Sequence, residues 1–527
     1  MSSLLDFRTT RPRLRLLGVL TALACLASLV GGGASWGAGY DPSTDVNSMY
    51  STTQYTGAQT WWDAGYTGAG IDVAVIDSGV SPVPGLSQPG KVIYGPDLSL
   101  ESQAPNLTNL DTYGHGTFMA GLIAADQGTG TPTSATSSPS IYRGMAPGAR
   151  IVSIKVATAD GGADVTQVIA AIDWVVQHAH DPGLNIRVLN LSYGTSSGQA
   201  YTSDPLAYAV EQAWAHGIVV VAAAGNTGFQ RRHGAVGLAD PAYDPVVIGI
   251  GASDSMGTAT TRDDRIPSFS AGSSDHHARQ PDFVSPGAHL QGLRVTNSYI
   301  DLNHPEGILD GTYFRGSGTS EAAAITSGAV ALVLQKYPNL TPDQVKQFFV
   351  SDGQELRGSD DSVQGAGEIS LGRMLHDNPS SGWGDHNGTR DWWGTPSSTG
   401  TGSIELARGA DHISQNGVVL QGEEDIFGQP VNTTTLAAAE ANASSWSGGI
   451  WNGSTWTGSS WSGNSWSGSS WSGSSWSGSS WSASSWSGSS WSGSSWSGSS
   501  WSGSSWSGSS WSGSSWSGSS WSGADWG

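Results

Sequence analysis

Five short runs rich in β-branched residues, at 71–76, 151–156, 186–191, 218–223 and 246–250, alternate with helix-period segments at 118–125, 165–179, 206–216 and 322–337. Near-continuous apolar strands of this kind suit a parallel sheet covered on both faces. Helices between such strands imply right-handed crossovers. Residues 66–375 therefore read as an α/β three-layer sandwich with a mostly parallel sheet. Sites in such sheets assemble beyond the carboxyl ends of the strands. Asp77 stands at that position after the first run, and Asn226 stands there after the fourth.

The 527 residues exceed one average domain, so a large domain with accessory segments is expected. The formal net charge is -21, and without the first 34 residues, which carry a net +3, it becomes -24. That balance argues against nucleic acid or an anionic membrane as partner, because either needs a basic face. Residues 1–34 read as a secretory signal: Arg8, Arg11, Arg13 and Arg15 precede an apolar run, and small residues then lead to Ala34. The apolar run is short for a membrane span, so no integral span is expected in the mature chain. Cys25 raises a lipid-anchor alternative, but Ala22-Leu23-Ala24 before it fit a lipidation site poorly. If Cys25 leaves with the signal, no disulfide is expected in the mature chain, and stability rests on core burial or on bound ions. The expected organisation is a signal at 1–34, a leader at 35–65, the α/β domain at 66–375, a polar linker at 376–445 and a repeat tail at 446–527.

Ser320 lies in Gly316-Ser317-Gly318-Thr319-Ser320-Glu321, far downstream of Asp77 and of His115 in Gly114-His115-Gly116-Thr117. A serine hydroxyl needs a base to become a nucleophile, and the base needs a group to orient it. Taken singly, each residue has an ordinary reading: a turn serine, a capping aspartate, a surface histidine, an asparagine filling a turn. Taken together in the order Asp, His, Ser, they point to nucleophilic catalysis. His178 and His180 face different directions on a helix, and His276 and His277 lack ligand spacing, so no metal is assigned to them.

The segments 73–80, 113–117, 189–194, 222–226 and 318–320 resemble the subtilisin-like serine peptidase family (peptidase S8), in that family's order. The resemblance covers roughly residues 66–375. It implies a secreted endopeptidase with Ser320 as nucleophile, His115 as general base and acid, and Asp77 orienting the imidazole. It also implies Asn226 as a side-chain donor in the oxyanion hole, beside the Ser320 N–H. Ser192, Tyr193, Gly194, Ala224 and Gly225 would wall the substrate cleft. Calcium is a cofactor of the family, though no loop of spaced aspartates is evident here.

Three features depart from the family pattern. Glu321 follows the nucleophile where the family usually has Met, which removes an oxidisable thioether and predicts resistance to peroxide. Between Ala34 and the first strand only some 35 residues are left, too few for the usual folded pro-domain; residues 55–66 read as a packed leader strand or helix. From Trp446 to Trp526 a tryptophan recurs every five residues, seventeen times. An odd period sends successive side chains to opposite faces of a strand, so a core forms only if the chain turns once per repeat. The tail reads either as a low-complexity extension or as a module that contacts cell-wall polymer or carbohydrate and retains the enzyme at the cell surface.

Two function classes follow: an active secreted peptidase, and a surface scaffold with a relic domain. The full set of Asp77, His115, Asn226 and Ser320 favours the peptidase. A lipase-type elbow is excluded because Ala322 stands where Gly-x-Ser-x-Gly requires glycine.

Overall fold

The computed structural model describes residues 40–104, 106–228, 237–273, 279–379, 396–415, 418–447 and 449–456. The signal at 1–34, His276 and His277, and the Trp repeat from 457 onward lie outside the described residues.

Seven strands form the central sheet: β1 (Asp72–Asp77), β2 (Val92–Asp97), β3 (Arg150–Lys155), β4 (Ile186–Leu191), β5 (Val219–Ala223), β6 (Ile248–Ser253) and β7 (Phe283–Pro286). Their order is β2-β3-β1-β4-β5-β6-β7, and every neighbouring pair is parallel. The five apolar runs of the sequence correspond to β1, β3, β4, β5 and β6. The two strands without such a run, β2 and β7, are the sheet edges. An edge strand has one strand neighbour and needs no continuous apolar run. β2 is half exposed and carries Gly95 and Pro96, which only an edge tolerates.

Helix α1 (Met49–Tyr55) and helix α2 (Ala58–Asp63) precede the sheet, and α3 (His115–Ala124), α4 (Val165–His178) and α5 (Pro205–Ala215) cross between strands. After β7 come β8 (Leu290–Leu293), α6 (Tyr299–Asn303), β9 (Tyr313–Gly316), α7 (Thr319–Lys336), α8 (Pro342–Asp352), α9 (Asp361–Gln364) and α10 (Leu371–Met374). α3 packs on α7, which lies across β4 to β7, and α4 packs on α5. The central strands are buried along nearly their whole length, as a sheet covered on both faces requires.

The leader is helical and part of the core. Trp61 and Trp62 of α2 are buried, and their indole N–H groups donate to the carbonyls of Leu371 (2.7 Å) and Met145 (3.0 Å). That satisfies the one polar atom each ring would otherwise bury unpaired.

Residues 376–445, read as a polar linker, instead carry packed helices and short strands between 404 and 440. α11 (Ile404–Arg408) and α12 (Thr433–Glu440) lie against α4 and α5, joined by short strands β10 (Ser414–Gln415) and β11 (Val418–Val419). The composition hides the anchors: Ile404, Ala407, Phe427, Val431 and Leu436 are spaced widely, yet all are buried. Arg408 is fully buried and pairs at 2.6 Å with Asp164, the buried N-cap of α4. The chain then folds into a three-stranded antiparallel sheet of two-residue strands, β12 (Trp446–Ser447), β13 (Ile450–Trp451) and β14 (Ser454–Thr455). It turns once per repeat, and Trp446, Trp451 and Trp456 are buried. Trp446 donates to the Ala170 carbonyl and Trp451 to Asp173, each at 2.7 Å, so both are fastened to α4.

Candidate active site

Asp77 is the last residue of β1, and His115 is the first residue of α3. Gly114, at φ 106°, supplies the left-handed turn that starts α3. Gly116 permits the close approach of that helix to β1: a Cβ there would lie 2.2 Å from the Gly79 carbonyl oxygen. The result is that His115 Nδ1 sits 2.9 Å from both oxygens of Asp77. Asp77 also accepts from the Ser78 N–H at 2.7 Å, so the carboxylate that faces the imidazole is held by the backbone. About a quarter of the His115 side chain is open to solvent, against 7% for Asp77.

Burial alone would pull the His115 pKa down. The Asp77 carboxylate, through its charge and its hydrogen bond, together with Glu321 and Asp111, outweighs burial and raises it to about 9. Such an arrangement fixes the tautomer with Nδ1–H toward Asp77 and leaves Nε2 to exchange protons in the cleft.

Ser320 is the second residue of α7, where unpaired N–H groups and the helix dipole favour negative charge. Its hydroxyl donates to the Ser192 carbonyl at 3.5 Å, a long bond left to be exchanged when a substrate arrives. Asn226 follows β5 and is pinned by its oxygen, which accepts from the Thr319 N–H (2.8 Å) and the Thr319 hydroxyl (3.1 Å). The amide nitrogen is thereby the end of the side chain left for another partner, and it lies 3.3 Å from the point where a Gly318 Cβ would sit. Gly225 donates to the same Thr319 hydroxyl at 3.0 Å, which ties the end of β5 to the start of α7.

Of the expected cleft residues, Ser192, Tyr193 and Gly194 line a cleft of about 1060 Å³ together with Asp77 and His115. Ala224 and Gly225 lie off that lining. Gly194 and Gly225 both pack against Ala239: a Cβ on either would come within 2.8 Å and 3.3 Å of its methyl group, so only glycine permits this close approach at position 194.

Sequence reasoning passed over Asp111 and residues 411–413, and it singled out Glu321 without placing it against His115. Asp111 is buried and accepts from the N–H groups of Gly114 (2.6 Å) and Thr117 (2.7 Å) and from the Ser78 hydroxyl (2.8 Å), which locks the turn bearing His115. An acidic residue just before a helix start was the available signal. Glu321 is buried and lines a small cavity with His115 and Phe118. Burial pushes its carboxyl up, with the imidazole charge pulling against that. Finally, Asp411, His412 and Ile413, from beyond the catalytic segment, also line the large cleft.

Among the described residues no three His, Cys, Asp or Glu side chains converge as a metal site would need. No step below uses a metal. No helix among them is long and apolar enough to cross a membrane.

The sequence model of the subtilase family (Peptidase S8) matches residues 68–367. Serine protease AprX of Bacillus subtilis is 36% identical over 58% of this chain and 66% of its own length. Subtilisin DY of Bacillus licheniformis is 32% identical over 58% of this chain and 91% of its own. The crystal structure of fervidolysin from Fervidobacterium pennivorans, a keratinolytic enzyme related to subtilisin, aligns with a TM-score of 0.48 at 27% identity, covering 63% of this chain and 46% of that one.

Proposed function

The chain belongs to the subtilase family of serine endopeptidases, and on that premise we propose that it hydrolyses peptide bonds through an acyl-enzyme formed on Ser320. Ser320 Oγ attacks the scissile carbonyl as His115 Nε2 takes its proton. His115 then returns that proton to the leaving amine, and Asp77 steadies the imidazolium between the two steps. The Asn226 amide and the Ser320 N–H receive the developing oxyanion. Water repeats the sequence on the ester. The observation that carries this reading is the double 2.9 Å contact of His115 Nδ1 with Asp77 at the mouth of a cleft beside the N-terminus of α7. Labelling with a fluorophosphonate probe tests it: wild type should label and Ser320→Ala should not. Failure of the wild type to label would favour the scaffold reading.

Secretion rests on the basic-then-apolar pattern of residues 1–34. We assign the Trp repeat beyond 456 to retention at the cell surface through wall polymer or carbohydrate, since regularly spaced aromatic rings suit such surfaces. The first three tryptophans are engaged by α4 and its surroundings, so retention would fall to the later ones. Full-length enzyme should sediment with isolated cell walls, and enzyme ending at 456 should stay in the supernatant. Equal partitioning of the two would sink the assignment.

A further inference from the structure

The large cleft has two banks, the turn 156–163 after β3 and residues 192–194 after β4, which the segment 195–198 continues. A third contributor reaches both. On the β4 side, the Gly198 N–H donates to the Leu406 carbonyl (2.9 Å), the Thr195 hydroxyl donates to Ala407 (2.5 Å), and Asp411 accepts from the Ser196 N–H (3.2 Å). On the β3 side, the point where a Gly162 Cβ would sit is 3.7 Å from Ile413 and 3.3 Å from an Asp160 oxygen. Residues 406–413 thus run from one bank to the other, anchored from behind by the buried Arg408–Asp164 pair. They lie outside the family match, which ends at 367.

We propose that this segment is a wall of the substrate cleft, and that Asp411 with Asp160 selects peptides carrying a lysine or arginine at the position seated there. The proposal rests on the peptidase reading above. The charge pattern of the lining is one-sided. Among the described residues no Lys or Arg lines the cleft; Glu101 is neutralised by Lys155 at 2.6 Å, and His412 is held by Glu405 at 3.0 Å. Asp160 and Asp411 are exposed, and among the described residues neither makes an ion pair. A carboxylate without a counter-ion in a walled cleft attracts a cationic side chain and repels an anionic one.

The test uses internally quenched peptides in which a single Lys or Glu is moved through each position flanking the cleaved bond. At one position the wild type should favour Lys over Glu roughly fivefold in kcat/KM, carried by KM and shrinking as salt is raised. Asp411→Asn keeps the acceptor for Ser196 and should reduce that ratio by about half or more; Asp160→Asn should do likewise, and Asp411→Lys should invert it. The ratio is internal, so a folding defect that slows both peptides leaves it readable. A wild-type ratio near one at every position, or a ratio untouched by Asp411→Asn and Asp411→Lys, would overturn the acidic wall and leave the peptidase reading standing. Cleavage of no peptide by the wild type would overturn both.

Discussion

Carboxylates at the catalytic end of the sheet and those on the α4–α5 flank are buried by opposite means. Asp77 and Asp111 are supplied with donors fixed in place, from the N–H groups of Ser78, Gly114 and Thr117 and from His115. On the flank, buried acids face one another. Asp240 lies within hydrogen-bonding reach of Asp204, and both its oxygens lack a donor among the described residues. Glu211 meets Asp244, and Glu440 meets Asp173, in the same way. Burial first, and then the neighbouring carboxylate, pushes Asp240 and Glu440 well above the carboxylate range and Glu211 to about 9. Burial also raises Asp173 and Asp244, each to about 7. Two like charges this close cannot both ionise, so each pair holds a proton.

The difference sets activity and stability against each other on the pH axis. A flank acid with a raised folded pKa binds a proton that the unfolded chain releases near pH 4. Its contribution is complete below that point and is lost as pH climbs toward about 7 to 9, at roughly 1.4 kcal/mol per unit per proton. His115 must be neutral to act as base, so turnover should rise with pH until about 9. The protein should be sturdiest in acid and fastest in mild alkali.

The sharpest way to break the catalytic half of this contrast is Asp77→Asn, which should cut kcat by about 10⁴, a magnitude taken from the same replacement in a chymotrypsin-type triad. A loss under tenfold in steady-state turnover would remove Asp77 from its role. On the flank, Trp451→Ala strips Asp173 of its indole donor and empties a buried site, and should cost about 3–5 kcal/mol in denaturant unfolding. Next, the melting temperature should fall steadily from pH 5 to pH 8, and Asp240→Asn, whose amide can donate to Asp204, should flatten that slope. A protein melting higher at pH 8 than at pH 5 would contradict the shared protons. Smallest of all, Glu321→Gln removes one negative charge facing His115 and should move the rising limb of the kcat/KM profile down by roughly half a unit to one unit. An unmoved limb would show that Asp77 alone holds the imidazole up.

The sequence disclosed the interior of the fold better than its borders. β1, β3, β4, β5 and β6 are legible because strands with neighbours on both sides must be apolar throughout. β2 and β7 are silent because an edge escapes that demand. Asp77, His115, Asn226 and Ser320 are legible through the small residues that let strand ends and helix starts close on one another. The contribution of Asp411 to the cleft is not, since it arises from contacts between residues more than 200 positions apart, such as Ser196 with Asp411. Nor could the repeat announce its own turns. A period of five suits a two-residue strand followed by a tight reversal, but only the packing of Trp446 and Trp451 on α4 selects that conformation.

The Arg408–Asp164 pair has a consequence in time as well as in space. The partners are 244 residues apart, and neither side chain retains any exposure in the finished molecule. During synthesis Asp164 emerges long before its counter-charge, and until residue 408 follows it can keep its charge only by staying wet. The nascent chain therefore carries a complete Asp77, His115 and Ser320 set before it can seal the flank behind α4. Residues 411–413 of the cleft lining and the counter-charge of Asp164 arrive together, so the ribosome's progress through 404–413 marks when that flank can begin to close.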